Sequence, residues 1–216
     1  ERAGYVHNLN GTEGSISVIG AISPAGGDFS EPVTQNTMRF TRCFWALDKS
    51  LAYARHFPAI DWMASYTEYL NDLEPWYIEH LGEEYLEYRS VINNLLQEEN
   101  KLMEIVKLIG SDVLPDDQKL TIEIAKLIRV GYLQQNAFHA EDTYVPLEKQ
   151  LRMMDIILYL YKKSKELVAT GKPISEVAAQ GIFEKVTKMK YDVPNDHIEM
   201  FDDYYAMIDE AIAKVA

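Results

Sequence analysis

Between Glu83 and Ile109 apolar residues recur at Tyr85, Tyr88, Ile92, Leu95, Leu96, Leu102, Met103, Val106 and Ile109. Steps of three and four place them on one stripe of a single long helix. Such a helix is stable only when that stripe is covered, so the chain needs further helices to pack on it. The sequence supplies them. "GSDVLPDD" breaks the first helix, and Leu120, Ile124, Leu127 and Ile128 start a second. Leu151, Met154, Leu158, Tyr161 and Val168 mark a third, stopped by Gly171 and Pro173. Shorter helices are expected within 174–190 and 195–214. Residues 61–216 thus read as a C-terminal helical bundle domain.

Before residue 60 the texture differs. "SISVIGAIS" and "FTRCFWAL" are apolar and rich in β-branched or aromatic residues, which reads as buried strands. "PVTQNT" suits a short helical turn, and Asp48 an N-cap for a helix from Lys49 to His56 that ends before Pro58. One strand, a long loop, a second strand and a helix are too little for a sheet domain. Residues 1–60 therefore read as the last part of an α/β domain, and the fold class is mainly α. "ERAGYV" at the start reads as the end of a helix, with no initiator Met, so a piece of a longer protein is expected.

The chain carries a net charge of -13 over 216 residues, which argues against a nucleic-acid partner, since phosphate binding needs Lys and Arg gathered on a face. A single cysteine, Cys43, excludes a disulfide framework and suits a reducing compartment. No run of apolar residues approaches the roughly 18 needed to span a bilayer.

Complete catalytic patterns are missing. Gly-x-x-x-x-Gly-Lys-Ser/Thr does not occur, and "TGKP" at 170–173 is a helix stop. No His stands three residues after a Glu, so the metal motif of helical bundles is lacking, and "FHAED" at 138–142 reads as a solvated helix end. No catalytic residue and no metal ligand is assigned. Two aromatics stand out: Phe57 in "HFPAID", beside Pro58, and Phe138 in "QQNAF", between two helices. Loop aromatics beside Pro or amides can stack on a flat base, gaining roughly 1–3 kcal/mol per base. Ordinary packing in the core is the commoner use of such rings.

"GSISVIGAISPAGGDFSEPVTQNT", followed by "FWALDKSLAYARHFPAIDW", closely resembles the catalytic A subunit of V-type and archaeal-type rotary ATPases. "YLQQNAFHAEDTY", "PLEKQLRMM" and the tail through "MKYDVP" continue the resemblance, which covers essentially the whole chain. It implies the end of an α/β nucleotide-binding domain followed by the C-terminal helical domain. It further implies ATP hydrolysis or synthesis, with ATP or ADP and Mg in the intact subunit, coupled to proton or sodium transport. The B subunit would alternate with this one in a hexamer around a central rotor stalk, the whole peripheral to a membrane on its cytoplasmic side. The phosphate-binding loop, the catalytic Glu and the magnesium-site Asp would precede residue 1, so the chain alone is expected to bind no nucleotide and to be inactive.

Residue by residue, the resemblance assigns Phe57 to the aromatic that packs on adenine and Phe138 to the aromatic on the other side of the base. Ala137 stands beside Phe138, and Tyr144 closes the edge. The two rings are then expected close together although 81 positions separate them. "GGDFSEP" would be a rotor-facing loop, with Gly26 and Gly27 permitting the turn and Asp28 and Glu31 meeting basic rotor residues. "GSDVLPDD" would be a second, with Asp112, Asp116 and Asp117; Pro115 and only three acids favour steric contact over an electrostatic push. The alternative from another class is a non-catalytic helical module that binds a protein partner. Such a module has no reason to contain "FPAI", "QNAF" and the Gly-rich loop together.

Overall fold

The computed structural model describes residues 2–110 and 113–216. Backbone contacts divide the chain into two compact units, 1–49 with 60–73 and 50–59 with 74–216. The division is discontinuous: the ten residues 50–59 group with the helical unit, although strands on either side of them pair within the first.

In the first unit β1 (Arg2–His7) and β2 (Glu13–Ser17) form an antiparallel hairpin, Tyr5 facing Ser15 and His7 facing Glu13 in register. The opening residues are thus strand where "ERAGYV" suggested a helix end. Tyr5 and the β-branched Val6 favour a strand and outweigh the helix former Ala3. The apolar run also behaves differently from its reading as a buried strand. β2 stops at Ser17, all of its residues are exposed, and Ile19 lies exposed beyond it. A two-stranded ribbon has no second layer to cover either face.

The Gly-rich loop follows, with Gly26 and Gly27 at φ +69° and +79°, a region that glycine enters without a Cβ clash. Helix α1 (Pro32–Phe40) is longer than the single turn expected from "PVTQNT". Glu31 starts it, its carboxylate accepting from the Thr34 amide at 3.1 Å and the Thr34 hydroxyl at 2.9 Å, and Pro32 supplies a pre-set φ in the first turn. β3 (Cys43–Leu47) pairs antiparallel with β4 (Ile60–Thr67), Leu47 opposite Ile60. β4 runs into the range 61–216, whose pattern reads as helical; Ile60, Trp62 and Tyr66 keep a period of two there. Phe44 stacks on Tyr66 with centroids 5.9 Å apart and meets the edge of Phe29 at 5.5 Å. The Tyr66 hydroxyl donates to the Met38 carbonyl at 3.1 Å, tying α1 to this ribbon.

Between the ribbon strands runs the short helix α2 (Lys49–Tyr53), ending three residues earlier than the expected His56. Helix α3 (Leu70–Leu81) leads from β4 into the second unit. There α4 (Glu84–Ile109) matches the long apolar stripe almost residue for residue, and Gly110, φ +84°, ends it. α5 (Asp116–Leu127) runs directly into a π-helical turn, Ile128–Leu133. The short α6 (Ala140–Thr143), the long α7 (Leu147–Ala169), α8 (Ile174–Ala179), α9 (Ile182–Asp192) and α10 (Asp202–Ala213) complete the bundle.

The core is made of Leu95, Leu96, Ile124, Ile128, Ile156, Ile157, Leu160, Val186, Met189 and Ile208 from five of these helices and the π turn, all buried. Tyr88 on α4 and Tyr205 on α10 both donate to the Asp155 carboxylate on α7, the former at 3.0 Å. Burial and the Asp155 charge push the Tyr88 hydroxyl up to about 12. Gly131 lets the π turn approach α9 closely, since a Cβ there would stand 3.2 Å from Thr187 Cα.

Candidate functional site

The segment after α2 and the segment after the π turn lie side by side within the second unit. The Gln135 amide donates to the Phe57 carbonyl at 2.6 Å, and the Gln134 side chain donates to the Arg55 carbonyl at 3.2 Å. These bonds join "HFP" to "QQNAF" across 78 or more positions of sequence. Phe57 is 52% exposed and Phe138 is completely exposed. Ala137 is exposed as well, and so is Tyr144.

The loop bearing Phe138 is closed locally. The Phe138 amide donates to the Asn136 side-chain oxygen at 3.0 Å, the turn that Asn favours by folding its carbonyl back on the main chain. The Thr143 hydroxyl donates to the Ala137 carbonyl at 2.6 Å. The Asn136 amide donates to Asp142 at 2.6 Å.

Asp142 corrects the expectation of a solvated helix end at 138–142. Its side chain is 2% exposed, and 3.5 Å away stands the ammonium of Lys190, also 2% exposed. Lys190 donates to the carbonyls of Val130, at 3.0 Å, and Gln134, the last acceptors of the π turn. Carbonyls at a helix C-terminus have no partner in their own helix, and a lysine ammonium satisfies them while matching the negative end of the dipole.

Lys149 does the same one layer further in. Its fully buried ammonium donates to the Val193 carbonyl at 2.7 Å, the Asn195 side-chain oxygen at 2.9 Å and the Lys190 carbonyl at 3.0 Å. Two of these acceptors lie at the C-terminus of α9. All three ammonium protons have an acceptor, which makes so deep a charge tolerable. Burial lowers the pKa of both lysines, and the Asp142 and Glu141 charges oppose that shift. His56, buried beside Phe57 in sequence, is held below its ordinary 6.5 by burial and by the charges of Arg129 and Lys190.

Neither lysine was a sequence candidate, yet a signal existed. Lys149 lies four and seven residues before Met153 and Ile156, and Lys190 four and seven after Val186 and Phe183. A lysine in line with a buried stripe must either snorkel to water or find acceptors inside.

The proposed rotor-facing acids lie elsewhere. Asp28 is exposed and accepts from the Ser30 amide at 2.9 Å and the Ser30 hydroxyl at 2.6 Å, bonds that hold its carboxyl below the usual range. Glu31 is engaged as the α1 cap. Asp117 is exposed at the start of α5, Asp116 accepts from the Ile174 amide at 3.3 Å, and Asp112 falls outside the described residues. Among the described residues no three His, Cys, Asp or Glu side chains gather as a metal site, and no helix is long and apolar enough to cross a membrane.

Residues 1–67 match the family of the ATP synthase alpha/beta nucleotide-binding domain, and residues 74–178 match the C-terminal domain of V and A type ATP synthase. The V-type ATP synthase alpha chain of Halothermothrix orenii is 54% identical over 211 residues, covering 97% of this chain and 36% of that protein. The V-type ATP synthase alpha chain 2 of Clostridium tetani is 53% identical, covering 99% and 37%. An ATP synthase subunit of Nanoarcheaum equitans, NeqB, shares the fold over 63% of this chain and 32% of its own, with a TM-score of 0.54 at 19% identity. The chain thus spans little more than a third of the two V-type relatives. By these matches it belongs to the family of V-type and A-type ATP synthase alpha (A) subunits, joining the end of their α/β nucleotide-binding domain to their C-terminal helical domain.

Proposed function

We propose that this chain forms the C-terminal part of the catalytic subunit of a rotary V/A-type ATPase and supplies the adenine side of its nucleotide pocket through Phe57, Ala137 and Phe138. The observation that carries this reading is the exposure of Phe138 on a loop whose main chain is held at Gln134, Gln135, Asn136, Ala137 and Phe138 by hydrogen bonds. Leaving a Phe ring in water forgoes roughly 1.5–3 kcal/mol of burial, so a rigidly presented ring is suited to a partner it meets later. With Phe57 one hydrogen bond away from the same loop, a flat base is a fitting partner, and stacking would contribute roughly 1–3 kcal/mol per base.

In this reading the phosphates and Mg are held by parts of the subunit that precede this chain, whose own sequence has no phosphate-binding loop pattern. The subunit alternates with B subunits in a hexamer, peripheral to the membrane on its cytoplasmic side, and couples ATP hydrolysis or synthesis to proton or sodium movement. The loops with Asp28 and Glu31, and with Asp112, Asp116 and Asp117, face the rotor stalk.

The test is made in the complete subunit within its complex. Phe57→Ala and Phe138→Ala should each raise the Kd for Mg-ATP by about 5- to 100-fold, with turnover at saturating ATP largely kept. Unchanged affinity in both variants refutes the pocket. Isothermal titration of this chain alone with Mg-ATP should give no micromolar binding, because stacking without phosphate contacts is too weak.

A further inference from the structure

An exposed ring has no packing to place it, so the anchors of its main chain decide where it points. The loop carrying Phe138 has two anchors on charged groups. Gln134 gives its carbonyl to Lys190, and Asn136 gives its amide to Asp142. These two side chains face each other at 3.5 Å, both nearly fully buried. The separation of the anchors, and with it the path of residues 134–138, is therefore set by one ion pair in the interior. The same loop carries the Gln135 amide that holds the Phe57 carbonyl. Lys190 is in turn fixed from behind, because Lys149 takes its carbonyl and that of Val193.

We infer that Lys190, paired with Asp142, is a positioning residue for recognition of the nucleotide base, acting through the loop that presents Phe138 and holds Phe57. The inference rests on the reading of these rings as the base-stacking pair. Without Lys190 the Val130 and Gln134 carbonyls lose their donor and the buried Asp142 carboxylate loses its ion-pair partner, so the loop must rearrange to let water in. Without Asp142 the Asn136 amide loses its acceptor and the second anchor is gone. Either change moves the ring and leaves the phosphate contacts, made elsewhere in the subunit, as they were.

The experiment compares two ligands in the complete subunit within its complex: Mg-ATP, which has a base, and Mg-triphosphate, which has none. Lys190→Met should raise the Kd for Mg-ATP about tenfold and leave that for Mg-triphosphate within about twofold. A merely structural role would weaken both ligands together. Asp142→Ala should show the same selectivity, and it decides the matter if Lys190→Met does not assemble. Combined with Phe138→Ala, Lys190→Met should add little, since the ring it places is gone. Equal weakening of both ligands, additive losses in the combined variant, or unchanged Mg-ATP affinity in both single variants overturns the role of Lys190. Phe57→Ala and Phe138→Ala separate the two ideas: if both leave Mg-ATP binding unchanged, the base-stacking reading itself is refuted and the positioning role with it.

Discussion

The two units of this chain use apolar residues in opposite ways. In the helical unit Ile124, Ile156, Ile157 and Leu160 are completely buried. In the first unit Ile16, Ile19, Trp45 and Leu47 are exposed, Leu47 at 74%, and among its described residues only Thr34 and Ala46 are buried. The hydrophobic content of the two stretches is not what separates them. Helices 12 to 26 residues long each bring a complete stripe that a neighbouring helix covers, whereas two separate two-stranded ribbons leave much of their pleated faces uncovered. One unit is held by its core, the other by individual polar contacts: the Glu31 cap, the Tyr66 hydroxyl on Met38, and Arg42 paired with Asp72 at 2.6 Å.

The largest expected difference is in core truncation. Ile157→Ala should cost about 2–5 kcal/mol in urea unfolding of the chain, while Leu47→Ala should cost under about 0.5 kcal/mol. Comparable losses would break the comparison, showing that the face of β3 is covered in solution. Next comes the cap of α1. Glu31→Ala should cost about 1 kcal/mol, measured as faster amide hydrogen exchange in residues 32–40, with the helical unit unaffected. No change in exchange would mean that packing, and not this carboxylate, holds α1.

The smallest effect is a slope. His56 titrates below 6.5 in the folded chain, so under acid conditions the unfolded state takes up its proton first. The contribution of neutral His56 is complete above pH 6.5 and is lost as pH falls towards the depressed folded value. His56→Gln should flatten that part of the acid limb of the stability curve, read from urea midpoints between pH 5 and 8. Parallel curves for the two proteins would show that burial and the Arg129 and Lys190 charges do not hold His56 neutral.

How legible each region was follows from the range of the forces involved. The stripe of α4 is readable because 3.6-residue periodicity is a local property, and Gly110 ends the helix in sequence and in space alike. The continuation of α5 into a π turn was not readable. That register depends on α9 coming close at Gly131 and on Lys190 taking the terminal carbonyls, contacts about 60 positions away. Phe57 and Phe138 could be picked out as loop aromatics, but their exposure depends on what the fold leaves uncovered.

"FHAED" shows the boundary most clearly. Its residues alone describe a polar helix end suited to water. The interior position of Asp142 follows from two lysines, from α7 and α9, whose ammonium groups find helix-terminal carbonyls there. What this sequence determined by itself was the helical class, the helix boundaries marked by Gly and Pro, and the family its motifs resemble. The tertiary structure alone decided which charges are buried and which rings stay in water. Burying a charge is favourable only when acceptors from several distant segments converge on it, and that convergence is not written in any one of them.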